Sequence, residues 1–331
     1  MKQIYGIDLS KEKFDVCFIK ENDTKESFLV VKNTFNGIVK FLEKLPDNAL
    51  ICCEHTGVYG DLLLFLCSQY NISISLVSGY EVRHSSGLKK EKTDMIDAKM
   101  LREYAIRFYD KIKECCYSNE SMKELNDLYK LRSQLVKERK MLITHDQRNQ
   151  HFPFNSIKAN QITKTITDSL SEAIKELENE IMFIIHSNME LFKTYNTITT
   201  IKGIGQITAC NLIIKTENFK GIDTARKAAS YAGVCPFNNS SGKMQKKARV
   251  SNMADKELKT LLYLCTVVAV KQNPEFKFYY ERKKLEGKPY FLIMNNLANK
   301  LLRITYSLVK TGNPYVIGHI VEDPRLAKKS A

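Results

Sequence analysis

Four acidic residues have the types and placement that divalent-metal chemistry would need: Asp8, Glu54, Asp94 and Asp97. Asp8 lies in Ile4-Tyr5-Gly6-Ile7-Asp8-Leu9-Ser10, ahead of Phe14-Asp15-Val16-Cys17-Phe18-Ile19. Two short apolar runs around a polar turn predict paired strands, with Asp8 where the first one ends. Glu54 closes a second buried run, Ala49-Leu50-Ile51-Cys52-Cys53-Glu54, just before Thr56-Gly57. Asp94 and Asp97 are three apart in a helix-prone stretch, residues 92–99, which puts both on one face. Carboxylates gathered in this way repel each other unless a hard cation lies between them. Mg²⁺ accepts such oxygen ligands together with substrate phosphates. Each residue alone reads far more readily as a strand end, a helix end or a helix-capping aspartate; the ordered set shifts the balance toward a metal site.

The elements that would position this set alternate between strand and helix over residues 1–115. After the first two strands, Ser27-Phe28-Leu29-Val30-Val31 predicts a third. Thr34 caps a helix carrying Ile38, Val39, Phe41, Leu42 and Leu45 on one side. The Glu54 strand follows, then a helix over residues 62–67 and a strand over residues 72–77. Three strands followed by helix–strand units predict an α/β domain with a ribonuclease-H-like mixed sheet over residues 1–117.

Residues 118–195 change character. Met122, Leu125, Leu128, Leu135, Val136, Leu142 and Ile143 recur at helical spacing among charged residues. After His151-Phe152-Pro153, the pattern resumes with Ile162, Ile166, Leu170, Ile174, Leu177, Ile181 and Ile185. Two long amphipathic helices joined by a proline-containing turn fit a coiled-coil arm or a helical linker packed on its own protein.

A third, mostly helical region covers residues 196–320, before a polar tail at 321–331. Gly203 and Gly205 precede a predicted helix over residues 206–214. A Gly-x-Gly turn there leaves backbone N–H groups for a phosphate, as in a helix-hairpin-helix element, although a tight turn between packed helices uses the same glycines. The polar stretch Phe237-Asn238-Asn239-Ser240-Ser241-Gly242 reads as a loop. Lys243, Lys246, Lys247 and Arg249 follow it without an acid, either a solvated surface or a phosphate-facing patch.

The bulk numbers bound the partners. The 331 residues carry 51 Lys+Arg against 37 Asp+Glu, a formal charge of +14, which favours a polyanion and nucleic acid before membrane. No apolar run reaches membrane-span length and the N-terminus enters a strand directly, so the expectation is a bacterial or archaeal cytosol, with nucleoid association when bound. The 9 cysteines form no C-x₂-C pair, which predicts reduced, mostly buried thiols and no zinc site.

Motifs at both ends make the chain similar to one family, the DEDD-type insertion-sequence transposases usually numbered one-ten, the RNA-guided bridge recombinases. The N-terminal carriers are Gly6-Ile7-Asp8, Cys53-Glu54-His55-Thr56-Gly57-Val58-Tyr59 and Lys92-Thr93-Asp94-Met95-Ile96-Asp97-Ala98. The C-terminal ones are Ile201-Lys202-Gly203-Ile204-Gly205, Tyr231-Ala232-Gly233-Val234-Cys235-Pro236 and Ser240-Ser241-Gly242. The resemblance implies a RuvC-like domain, related to the Holliday-junction resolvases, with Asp8, Glu54, Asp94 and Asp97 as a tetrad for Mg²⁺ or Mn²⁺. The family's catalytic serine precedes a glycine and maps onto Ser241. Also implied are donor and target DNA, a noncoding guide RNA, and a dimer or tetramer in which one subunit's tetrad meets another's serine. The chain departs from the family where Ala254, Asp255 and Lys259 replace a glycine, an asparagine and an arginine. Lysine lacks the planar bidentate grip on phosphate, so Lys259 is given no catalytic role.

The expected reaction is DNA cleavage and rejoining through a serine-linked intermediate, with the carboxylates holding the metal. A nuclease or junction resolvase would use the same carboxylates with water as nucleophile. A non-catalytic nucleic-acid-binding protein would leave them structural.

Overall fold

The computed structural model describes residues 2–20, 23–55, 57–85, 93–115, 120–149, 156–241, 244–250 and 253–318. The chain divides into two compact units, residues 1–118 and 119–331.

The first unit is a five-stranded mixed sheet with helices on both faces. Its strands are β1 (Gln3–Leu9), β2 (Lys13–Ile19), β3 (Glu26–Lys32), β4 (Ala49–Glu54) and β5 (Ser73–Val77), in the order β3-β2-β1-β4-β5. β1, β2 and β3 run antiparallel as a meander, whereas β4 and β5 join parallel to β1. This is the α/β, ribonuclease-H-like arrangement that the element order predicts.

Alternation along β1 divides its side chains between two cores. Tyr5, Ile7 and Leu9 pack with α1 (Phe35–Leu42) and α2 (Asp61–Gln69), through Ile38, Phe41, Leu42, Leu63 and Leu66. Thr34 caps α1 by accepting the Gly37 N–H at 3.3 Å, as expected. On the opposite face Ile4 packs with Leu50, Cys52 and Val82, and with Leu101 and Ala105 of α4 (Asp94–Arg107). Val82 belongs to the short α3 (Gly79–Ser85). Gly6 and Asp8 alternate with Ile7, so they belong to this α4-bearing face.

In the second unit α5 (Glu120–Asn149) and α6 (Ile157–Ser187) lie antiparallel. Arg132 Nε donates to Glu178 at 2.8 Å and Arg139 Nη1 donates to Ser171 Oγ at 3.1 Å, so partners move backward along α6 as α5 advances. Leu125 and Tyr129 of α5, with Ile181, Ile184 and Ile185 of α6, are buried in this unit's own core. Tyr129 OH accepts from Asn211 Nδ2 and donates to Glu257, each at 3.1 Å. Farther along, Met141, Ile143, Ile162 and Ile166 are exposed.

The remaining helices are α7 (Met189–Thr199), α8 (Gln206–Lys215), α9 (Ala225–Tyr231), α10 (Lys256–Gln272), α11 (Pro274–Leu285) and α12 (Tyr290–Thr311). The polar stretch read as a loop is instead a strand. β6 (Phe237–Ser241) pairs antiparallel with β7 (Met244–Arg249), and Ser241 lies opposite Met244. Its Asn and Ser residues have weak strand propensity, and backbone pairing with β7 overrides it. The tail at 321–331 lies outside the described residues. Among those described, no helix is long and apolar enough to cross a membrane.

Candidate active site

The site begins with strand ends. Asp8 lies opposite Asp15 in the β1–β2 register. On its other side the parallel β1–β4 register pairs Ile7 with Cys53, so the next step along both strands reaches Asp8 and Glu54. Asp15, only 4 % exposed, is a fifth carboxylate that the spacing of the other four gave no reason to include.

Two glycines bring backbone against this row. A Cβ on Gly79, at the start of α3, would lie 2.8 Å from the Glu54 Oε2, so a larger residue there would force the Glu54 carboxylate to move. Gly6 performs the same task for α4, where a Cβ would meet the backbone of Ala98 and Arg102. α4 therefore sits directly on β1 with Asp94 and Asp97 in its first turn. Its cap is Thr93, whose Oγ1 accepts the Ile96 N–H at 3.3 Å, and this disposes of the capping-aspartate reading for Asp94. Lys99 and Arg102 anchor the helix to Glu26 on β3, at 2.6 and 3.8 Å.

Asn33 holds the rim. Its Nδ2 donates to the carbonyls of Ser10, after β1, at 2.9 Å and of Tyr59, in the 3₁₀ turn after β4, at 3.1 Å. Gly79, Asn33 and Asp15 adjoin the row without standing out in the sequence. The readable sign at Gly6 was its position two residues before Asp8.

Electrostatics link the acids. Burial pushes the Asp8 carboxyl up from 3.8 to about 6, and the negative charges of Asp97, Asp94, Glu54 and Asp15 push it the same way. The side chains interact through space but do not meet at one point. Among the described residues, no three His, Cys, Asp or Glu side chains converge as a metal-ligand cluster. Lys13 balances part of the charge: its ammonium lies 3.1 Å from Asp15 and 3.2 Å from Asp94, which raises its own pKa. The donor set is nonetheless all carboxylate, the chemistry that suits Mg²⁺ or Mn²⁺. The cysteines behave as packing groups, with the Cys52 and Cys67 thiols pushed up to about 12 by burial.

In the second unit, Gly203 and Gly205 have different surroundings. Gly203 has φ +109°, and a Cβ there would lie 2.6 Å from the Cys265 carbonyl of α10, so close packing accounts for it. Gly205 caps α8 without a side-chain hydrogen bond, and nothing lies within 4 Å of a Cβ built on it. Lys246, Lys247 and Arg249 belong to β7, while Lys243 and Gly242 lie outside the described residues. Asp255 explains part of the departure from the family pattern: it caps α10 by accepting the Leu258 N–H at 2.8 Å and pairs with Lys215 at 2.9 Å.

Residues 5–148 match the DEDD-type IS110 transposase family, and residues 195–281 match the Transposase IS116/IS110/IS902 family. The chain belongs to this family. Similar proteins include the pilin gene-inverting protein of Moraxella bovis, 26% identical over 327 residues, covering 95% of this chain and 98% of that one. The transposase for insertion sequence element IS1328 of Yersinia enterocolitica is 24% identical over 344 residues, covering 94% and 98%. A protein of insertion element IS110 from Streptomyces coelicolor is 23% identical over 154 residues, 46% of this chain and 38% of that one. The chain is thus an insertion-sequence transposase, an enzyme that acts on DNA.

Proposed function

We propose that this transposase cleaves and rejoins DNA strands through a serine-linked intermediate, with Asp8, Glu54, Asp94 and Asp97 holding Mg²⁺ or Mn²⁺. The observation that carries the metal reading is the gathering of four carboxylates from β1, β4 and α4, where burial first and then the neighbouring negative charges push Asp8 up to about 6. Divalent cations bound there would polarise the scissile phosphate and offset developing negative charge. Ser241 Oγ attacks the phosphorus and gives up its proton as the P–O bond to the leaving strand breaks. The leaving oxygen becomes a free hydroxyl. Attack by another strand's hydroxyl on the phosphoserine releases Ser241, so the phosphodiester is exchanged rather than hydrolysed.

Lys243, Lys246, Lys247, Arg249 and the backbone at Gly203 and Gly205 would hold phosphates. A noncoding guide RNA would select donor and target, and self-association would join one subunit's carboxylates to another's serine. Support for self-association comes from the exposed Met141, Ile143, Ile162 and Ile166 along the α5–α6 hairpin. A cytosolic, nucleoid-associated enzyme fits the formal charge of +14.

The test incubates the protein and its copurified RNA with a circular donor, a target and Mg²⁺, then sequences the junctions. Rejoined donor–target junctions are expected, and none in excess chelator. Nicked DNA with free ends and no new junctions would support water as nucleophile instead.

A further inference from the structure

We propose that a cleft at the base of the β6–β7 hairpin receives one unstacked nucleotide of the DNA strand; this rests on the strand-exchange reading above. The cleft has a volume of about 880 Å³ and is lined by Ile222, Arg226, Lys227, Tyr231, Pro236 and Phe237, among others. That size lies within the roughly 300–1,000 Å³ range of small-ligand sites.

Its lining has the chemistry of a nucleotide. Tyr231 and Phe237 remain 38% and 48% exposed, leaving aromatic surface for a base face. Tyr231 is fixed in place: its OH donates to Asp255 Oδ2 at 3.2 Å, and the Asp255 N–H donates to its carbonyl at 2.8 Å. Ile222 and Pro236 add apolar surface. Two cations stand at the same cleft. Lys227 is partly neutralised by Asp223 at 2.6 Å, whereas Arg226 is exposed and makes no ion pair among the described residues. A planar guanidinium with no carboxylate partner suits a phosphate.

Position points to DNA as the source. Phe237 opens the strand that ends at Ser241. Four residues of strand span about 13 Å at roughly 3.3 Å each, near the length of about four stacked nucleotides at 3.4 Å each. A strand cut at Ser241 could therefore reach the cleft within a few nucleotides. A paired base presents only its edges, while an unstacked base offers the face that an aromatic lining takes.

The chain contains no tryptophan, so Phe237→Trp places a single indole at the cleft. Phe237 is half-exposed, and circular dichroism checks that the variant folds. Titration with a single-stranded DNA oligonucleotide should quench the indole, with the midpoint matching binding followed by anisotropy of a labelled copy. Arg226→Gln in that background should move both midpoints by about tenfold. Phe237→Ala in the otherwise native chain should weaken anisotropy binding by about fivefold or more. Binding without quenching overturns the cleft assignment and leaves the transposase reading intact. Quenching by RNA of the same sequence, but not by DNA, also overturns it. Failure of both oligonucleotides to bind would contradict both readings.

Discussion

Gly6 and Ala98 meet backbone to backbone: a Cβ on Gly6 would collide with the Ala98 carbonyl oxygen and lie 2.7 Å from the Arg102 Cβ. The contact couples two parts of the site. Asp8 stands two residues beyond Gly6 on β1, and Asp97 immediately precedes Ala98 on α4. Gly6→Ala should push α4 away from the sheet, at a cost of about 1–3 kcal/mol for overpacking. Asp97 would recede from Asp8, and the Asp8 carboxyl should titrate closer to its ordinary value. Carbon-detected NMR titration with thermal unfolding checks both; an unchanged Asp8 titration would contradict the coupling.

Asp8 also makes stability depend on pH. Its folded value of about 6 lies above its ordinary 3.8, so between them the folded chain binds more protons than the unfolded one. Stability therefore falls as pH rises from about 4 to about 6, and the full penalty is present above that window. In chelator at pH 7, Asp8→Asn should be more stable by on the order of 1 kcal/mol, a figure discounted for solvent screening. Near pH 3.5 the gain should vanish. Denaturant titrations at the two pH values make the comparison, and equal stabilities at pH 7 would count against a strained carboxyl.

The element order and the strand positions of Asp8 and Glu54 were legible because each acid lies at or next to the end of a short apolar run. The approach of α4 was not. It depends on the missing side chain at Gly6, and a glycine in sequence does not reveal whether its turn or its neighbours require it. Asp15 was hidden for a related reason: only the register opposite Asp8 distinguishes it from any other polar residue in a strand. The β6–β7 hairpin escaped notice because Asn-Asn-Ser-Ser resembles a loop until its pairing partner is known.

Lys13 should compete with bound metal for the same carboxylates, since its ammonium contacts both Asp15 and Asp94. Lys13→Met should raise Mn²⁺ affinity by up to about thirtyfold at low salt, the effect of removing one unit charge about 4 Å from a divalent cation in water. Calorimetric titration with Mn²⁺ reads this directly. Unchanged or weaker affinity would show that Lys13 does not oppose the metal.

The cations of the hairpin should fail in affinity rather than in chemistry. Neutralising Lys246, Lys247 or Arg249 should weaken duplex DNA binding for all sequences alike. Each lost phosphate contact should flatten the log K versus log[salt] slope by roughly 0.9. Slopes that stay unchanged in all three variants would place the phosphate contacts elsewhere.

The most direct test of the central claim is covalent capture of DNA by the protein–RNA complex with Mg²⁺, read by denaturing electrophoresis and peptide mass mapping. The native protein should yield an adduct on Ser241. Ser241→Ala should yield none while still binding DNA, and Ser240→Ala should retain clear adduct formation. An adduct that persists in Ser241→Ala, or one that disappears in Ser240→Ala, would contradict Ser241 as the nucleophile.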